Sequence, residues 1–96
     1  MIFRSPYPDV VIPDTTVTAF VLRCAGECAK KTALIDAITG ATLSYGELAD
    51  AIRKTAGGLA ARGFGKGDVL AIYSPNTLEY PIAFHGAAYA GGVVTT

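Results

Sequence analysis

Gly63-Phe64-Gly65-Lys66-Gly67 is the segment that most invites a chemical reading, because glycines free backbone N–H groups and a lysine can meet a phosphate. Such a cradle works when its glycines lie between a strand and the following helix, so that the helix N-terminus faces the anion. The apolar pattern puts these glycines after a helix and before a strand, at the opposite end of a sheet. Lys66 is followed by Gly67 rather than by the Ser or Thr of a nucleotide-binding P-loop. The segment therefore reads as a helix-to-strand turn.

Cys24 and Cys28 stand four residues apart and share one face of any helix there. A tetrahedral metal site would need about two more ligands, and the single histidine, His85, is remote in sequence. The pair reads as two small buried hydrophobes in a reducing compartment. His85 would titrate near neutrality, but no Cys, Asp or Ser is set beside it by local spacing. It reads as a packed or half-exposed histidine. Ser44 and Ser74 sit at turns and no Gly-x-Ser-x-Gly elbow surrounds either. Asp36 and Asp50 form no carboxylate pair. Tyr45, Tyr73, Tyr80 and Tyr89 lie on periodic apolar positions, which is core behaviour. No catalytic, cofactor-binding or metal residue is assigned.

The elements that position these residues follow from apolar spacing. Residues 1–14 carry Pro6, Pro8 and Pro13 and read as an extended arm whose apolar residues pack against a surface. A first helix is expected over Thr16–Ala29, and a β-hairpin from strands Thr32–Asp36 and Thr42–Tyr45 with Gly40 in its turn. Ser44 and Glu47 have capping-box spacing at the head of a second helix that ends near Arg62, before Gly63. On its polar face Asp50 and Lys54 are placed to pair. Val69–Tyr73 is a near-continuous apolar run and suits a strand covered on both faces. Asn76 is placed to cap a third helix running to about Ala90, with Pro81 able to shift its start. That helix is apolar nearly all round, the mark of a buried one. Val93–Thr96 begins another strand. Ser74-Pro75-Asn76-Thr77 is thus the strand-to-helix turn at the carboxyl end of the sheet, where open α/β folds bind ligands; capping is its expected role.

The chain has 96 residues, enough for one small domain. Eight basic and eight acidic residues leave no net charge, against the basic excess of a nucleic-acid-binding domain. Hydrophobic residues make up 51% and charged ones 17%, which excludes disorder and leaves little charged surface. No apolar stretch reaches the roughly 20 residues of a membrane span, and the N-terminal segment lacks a signal-peptide pattern. The expected location is the cytoplasm. Strand, helix, strand, helix, strand argues a parallel α/β sheet. Three such strands cannot cover the third helix, so a truncated domain is expected.

Several segments, in order, resemble the N-terminal end of the adenylate-forming acyl-CoA synthetases, and within them the 4-coumarate–CoA ligases. The arm Ile2-Phe3-Arg4-Ser5 with Pro8-Asp9 and Ile12-Pro13 is typical of that branch. Thr42–Leu48 (TLSYGEL) resembles its T-[LY]-[ST]-Y-x-E-L helix start, and Gly63–Ile72 its G-x-x-K-G-D-x-V segment. Ser74–Gly86 and Ala90–Thr96 match its P-N-x-x-E-[FY] run and the following A-G-A stretch. Each motif is weak, but the ordered set is specific and spans nearly the whole chain.

The resemblance implies an α/β partial N-terminal subdomain of the acyl-CoA synthetase fold: extended arm 1–14, then 15–96 as an incomplete AMP-binding domain of hairpin, alternating helices and parallel strands. It implies a parent enzyme that uses ATP, Mg²⁺ and CoA to convert a carboxylic acid, aryl such as 4-coumarate or fatty, to its CoA thioester. The phosphate loop and catalytic lysine of such enzymes have no counterpart in these 96 residues. The chain alone is expected to be inactive and to bind none of these cofactors, with the rest of the ligase chain as its partner. The alternatives are a stand-alone pseudo-ligase interaction module exposing the third helix, and the scaffold of a luciferase-like enzyme or a peptide-synthetase adenylation domain. A dinucleotide-binding domain is disfavoured by the misplaced glycines.

Overall fold

The computed structural model describes residues 1–96. Its elements are α1 (Val17–Leu22), β1 (Thr32–Ile35), β2 (Thr42–Ser44), α2 (Tyr45–Ala61), β3 (Val69–Ala71), α3 (Glu79–Tyr89) and β4 (Val93–Thr95).

β1 and β2 form an antiparallel hairpin in which Leu34 faces Leu43 and Ile35 faces Thr42. Its turn is built by Asp36, whose carboxylate accepts from the Ile38 and Thr39 N–H groups at 2.8 and 3.0 Å. The Thr39 N–H foremost, then that of Ile38, holds the Asp36 carboxyl below the usual carboxylate range. Asp36 is therefore a turn residue. α2 follows β2 without a break. Ser44 Oγ accepts from the Glu47 N–H at 3.2 Å while Glu47 returns a carboxylate to the Ser44 N–H at 2.8 Å. The next two N–H groups, of Tyr45 and Gly46, are taken by the Lys31 and Ala29 carbonyls. Every early donor of this helix thus has a partner.

Both long helices end the same way. Gly63 (φ +86°) and Gly91 (φ +91°) take the left-handed conformation that L side chains rarely adopt. Gly63 and Phe64 donate back to Ala60 and Leu59, and Gly91 and Gly92 to Ala88 and Ala87. These are paired Schellman bonds, which return orphan carbonyls to partners.

The core is the seam between α2 and α3. Ile52 and Ala87 are fully buried, with Leu48, Ala49 and Ala56 beside them. Gly86 lets the helices approach: a Cβ there would stand 2.6 Å from Thr55 Cγ2. β3 and β4 run parallel on either side of α3 in sequence, with Leu70 opposite Val94.

The expected fold class holds, and several details differ. The strands form two separate two-stranded sheets, not one three-stranded parallel sheet. β2 spends its pairing on β1 and then turns at once into α2, so it never reaches β3. α1 covers six residues, not fourteen; beyond Leu22 the chain runs in turns closed by Ala25→Leu22 and Glu27→Cys24 bonds, with Gly26 among them. α3 begins at Glu79 with Leu78 as an N-cap that makes no side-chain bond. A start at Asn76 would have required Pro81 to donate to Thr77, and proline has no N–H; starting at Glu79 puts Pro81 in the first turn, where none is needed. Asp50 pairs with Arg53 at 3.2 Å rather than with Lys54.

Burial also falls short of expectation. β3 is not covered on both faces, since Val69 is exposed. Tyr45, Tyr73 and Tyr89 are exposed rather than in the core. Most of α3 is only half-buried, with Gly86 and Ala87 its buried residues. This chain does not bury the arm's apolar side chains: Ile2, Phe3, Tyr7, Val10, Val11 and Ile12 are all exposed. The radius of gyration, 16.1 Å, exceeds the roughly 13 Å of a compact chain this long, as a projecting arm requires.

Candidate functional site

The Gly63–Gly67 segment is held as a turn. Asp68 Oδ2 accepts from the Gly65 N–H at 2.9 Å and the Asp68 N–H returns to the Gly65 carbonyl. Gly67 (φ +92°) supplies the positive φ. The backbone donor that could meet a phosphate is therefore already paired with a carboxylate, which would also repel an anion. Lys66 makes no ion pair here.

His85 lies on α3, and the structure supplies the neighbour that local spacing could not. Its Nδ1 stands 3.0 Å from Thr18 Oγ1, and its ring meets Phe84 edge-on with centroids 5.2 Å apart. Thr18 is 1% exposed. Desolvation by this packing lowers the His85 pKa. Thr18 belongs to the site of the histidine, and nothing in the one-dimensional pattern singled it out, because a pairing across 67 residues leaves no local periodicity.

Cys24 and Cys28 are free. Cys24 is exposed and Cys28 half-buried, so the expected pair of buried hydrophobes is not what the fold makes. The cause is the early end of α1, which leaves the segment in surface turns. Ser44 is a cap. Ser74 Oγ donates to the Pro75 carbonyl at 2.9 Å.

At the carboxyl end of β3 and β4 the structure opens a cleft of about 460 Å³ lined by Ile72, Tyr73, Ser74, Pro75, Tyr80 and Thr96. This is where an open parallel sheet presents ligand-binding loops, and it is the place the Ser74–Thr77 turn was expected to occupy. A neighbouring depression runs between the hairpin turn (Asp36–Thr39) and Pro75–Leu78. Neither lining contains a Lys, Arg or His. Within the chain, no three His, Cys, Asp or Glu side chains gather as a metal group. No helix is long and apolar enough to cross a membrane. The cleft can offer an aromatic and hydroxyl wall; it brings together no nucleophile, base and acid.

Comparison with known proteins addresses what such a wall belongs to. The profile of the AMP-binding enzyme family matches residues 21–96. The chain is 40% identical over 93 residues to 4-coumarate–CoA ligase-like 1 of Arabidopsis thaliana, covering 96% of this chain and 17% of that protein. It is 34% identical over 96 residues to 4-coumarate–CoA ligase 5 of Oryza sativa subsp. japonica, covering 99% and 18%. Among solved structures, a benzoate CoA ligase from Burkholderia xenovorans superposes with a TM-score of 0.77 at 34% identity, over 85% of this chain and 17% of that one. A long-chain-fatty-acid-CoA ligase from Archaeoglobus fulgidus superposes with a TM-score of 0.84 over 96% of this chain and 20% of that one; at 18% identity it speaks for the fold alone. The chain spans less than a fifth of the length of these curated relatives.

Proposed function

The chain belongs to the AMP-binding enzyme family, and from that premise we propose that it is the N-terminal scaffold of an acid–CoA ligase. In the whole enzyme a carboxylic acid would attack ATP to give an acyl-adenylate and pyrophosphate, and the CoA thiol would then displace AMP to give the thioester. The proposed acid is aryl, of the 4-coumarate type, or fatty; the named relatives above support an acid of that range.

ATP and Mg²⁺ do not fit the residues present. The glycine-rich turn has its Gly65 donor occupied by Asp68, and the cleft beyond β3 and β4 is lined without a cation. No step through ATP is assigned to this chain. Its role in the proposal is structural. α2, α3 and the β3–α3–β4 unit would form one flank of the large domain and carry the Tyr73–Pro75 loop at the ligand edge of its sheet. The proposed setting is the cytoplasm, on the sequence expectation that the two cysteines stand in a reducing compartment.

The observation that carries this reading is exposed apolar surface that the 96 residues cannot cover. Val69, Tyr73, Tyr89 and Val93 stand exposed around the small parallel sheet, in elements whose sequence is that of a buried sheet and helix. The remainder of a ligase domain would cover them.

The test is ATP- and CoA-dependent thioester formation, with aryl and fatty acids, by the gene product purified from its source cells and by the 96 residues alone. The proposal expects activity from the first and none from the second. Thioester formed by the 96 residues alone would overturn it.

A further inference from the structure

Residues 1–28 are joined to the rest of the fold by little. Apart from the turn bond of the Lys31 N–H to the Cys28 carbonyl, one hydrogen bond crosses between them: Thr18 Oγ1 to His85 Nδ1 at 3.0 Å. Thr18 and Ala25 are the buried residues of this stretch. α1, which bears Thr18, packs on α3. Its six residues are fewer than the roughly 12–15 that a helix needs to persist alone in water, so α1 keeps its shape only while it stays seated. The other buried side chains, Leu48, Ala49, Ile52, Ala56 and Ala87, all lie on α2 and α3. Most of the core therefore stays in place if α1 leaves.

We propose that the arm and α1 are a strap that lifts from α3 as one unit while the α2–α3 seam stays closed, with Thr18–His85 as its catch and a second proton on His85 as its release. The strap is independent of the ligase reading, since all its parts lie within residues 1–96. When Nδ1 is unprotonated, the Thr18 hydroxyl donates to it. When both ring nitrogens carry protons, Nδ1 can only donate, and the bond reverses. The hydroxyl's own hydrogen is then left without an acceptor, because Thr18 is 1% exposed and its side chain makes no other hydrogen bond. A buried donor without a partner costs free energy, and so does a charge on a half-buried ring. No neighbouring charge offsets this. α1 and β4 carry no charged residue, and Arg23 just past α1 is turned onto Phe20. α3 itself carries Glu79, and α2 carries Glu47, Asp50, Arg53 and Lys54. None of these lies within ion-pair distance of His85; Asp50 is paired with Arg53. Lifting α1 opens the ring and the hydroxyl to water and relieves both costs.

The experiment is amide hydrogen exchange in the native gene product, read at Phe20, Val21 and Leu22 in α1 and at Ile52 and Ala56 in α2. Rates are corrected for the intrinsic effect of pH and compared at pH 7 and pH 5, on either side of the ordinary histidine value near 6.5. The α1 amides are expected to exchange faster than those of α2, and their protection to fall about fivefold or more on acidification while that of α2 holds. Thr18→Val is expected to lower α1 protection about fivefold already at pH 7. His85→Asn keeps an acceptor in the place of Nδ1 but takes up no proton, so the fall with pH is expected to vanish. Unchanged α2 protection shows that each variant is folded. Equal protection of α1 and α2, unchanged α1 protection in Thr18→Val, or the same fall with pH in His85→Asn would each overturn the proposal.

Discussion

Thr18 Oγ1 lies 3.0 Å from His85 Nδ1, tying α1 to α3 across 67 residues. The hydroxyl serves as donor or acceptor, so the pair is satisfied with either nitrogen protonated. It gives the otherwise short α1 a fixed seat, and it makes the chain's single histidine part of the tertiary structure.

Replacing Thr18 by Val keeps the shape and removes the bond. Thr18→Val is expected to cost about 1 kcal/mol, read as a lower urea midpoint with an unchanged slope. An unchanged midpoint would show that the 3.0 Å contact carries no net stability.

Burial lowers the His85 pKa below its ordinary value near 6.5. The unfolded chain then binds the proton more readily than the folded one, so stability rises with pH across this range. It is fully present above about pH 6.5 and falls as pH drops through that value toward the folded pKa. His85→Gln is expected to flatten this dependence between pH 7 and 5, measured by urea unfolding at each pH; an equally steep profile in the variant would assign the dependence to other groups.

The seam between α2 and α3 makes a steric prediction. A methyl at residue 86 would stand 2.6 Å from Thr55 Cγ2 and 2.9 Å from Thr55 Cβ. Gly86→Ala is expected to destabilise by about 1–3 kcal/mol through overpacking. Adding Thr55→Ala removes the nearer clash and should restore part of the loss. Independent, additive effects in that double-mutant cycle would contradict the packing described.

Glycines elsewhere should behave oppositely according to φ. Gly63→Ala forces a side chain into φ +86° and is expected to cost about 1–2 kcal/mol. Gly57 and Gly58 lie inside α2 with open space around them, so alanine at either should stabilise by about 0.5–1 kcal/mol. Thermal unfolding of the three variants gives the order directly.

Features encoded within a few residues were legible before any coordinates. The Ser44–Glu47 capping box, the hairpin with Gly40 in its turn and the stop at Gly63 depend on local bonds, and spacing reveals them. The failures involve partners. Apolar runs in β3, α3 and the arm imply cover, but composition cannot say where the cover lies, and it does not lie within these residues. Pro81 shifts the first residue of α3 from Thr77 to Glu79, a slip of the size its missing N–H allows, so the start of that helix was legible to within two residues. The site fared likewise: the Gly63–Gly67 turn was readable from topology, while the Thr18–His85 contact required the fold.

The central claim is that these residues are the scaffold end of a larger ligase. The intact mass of the native gene product from its source cells tests it most directly. A product about five to six times the length of this chain, as its relatives' coverage implies, is the result expected. A native product whose mass corresponds to the 96 residues alone would contradict it.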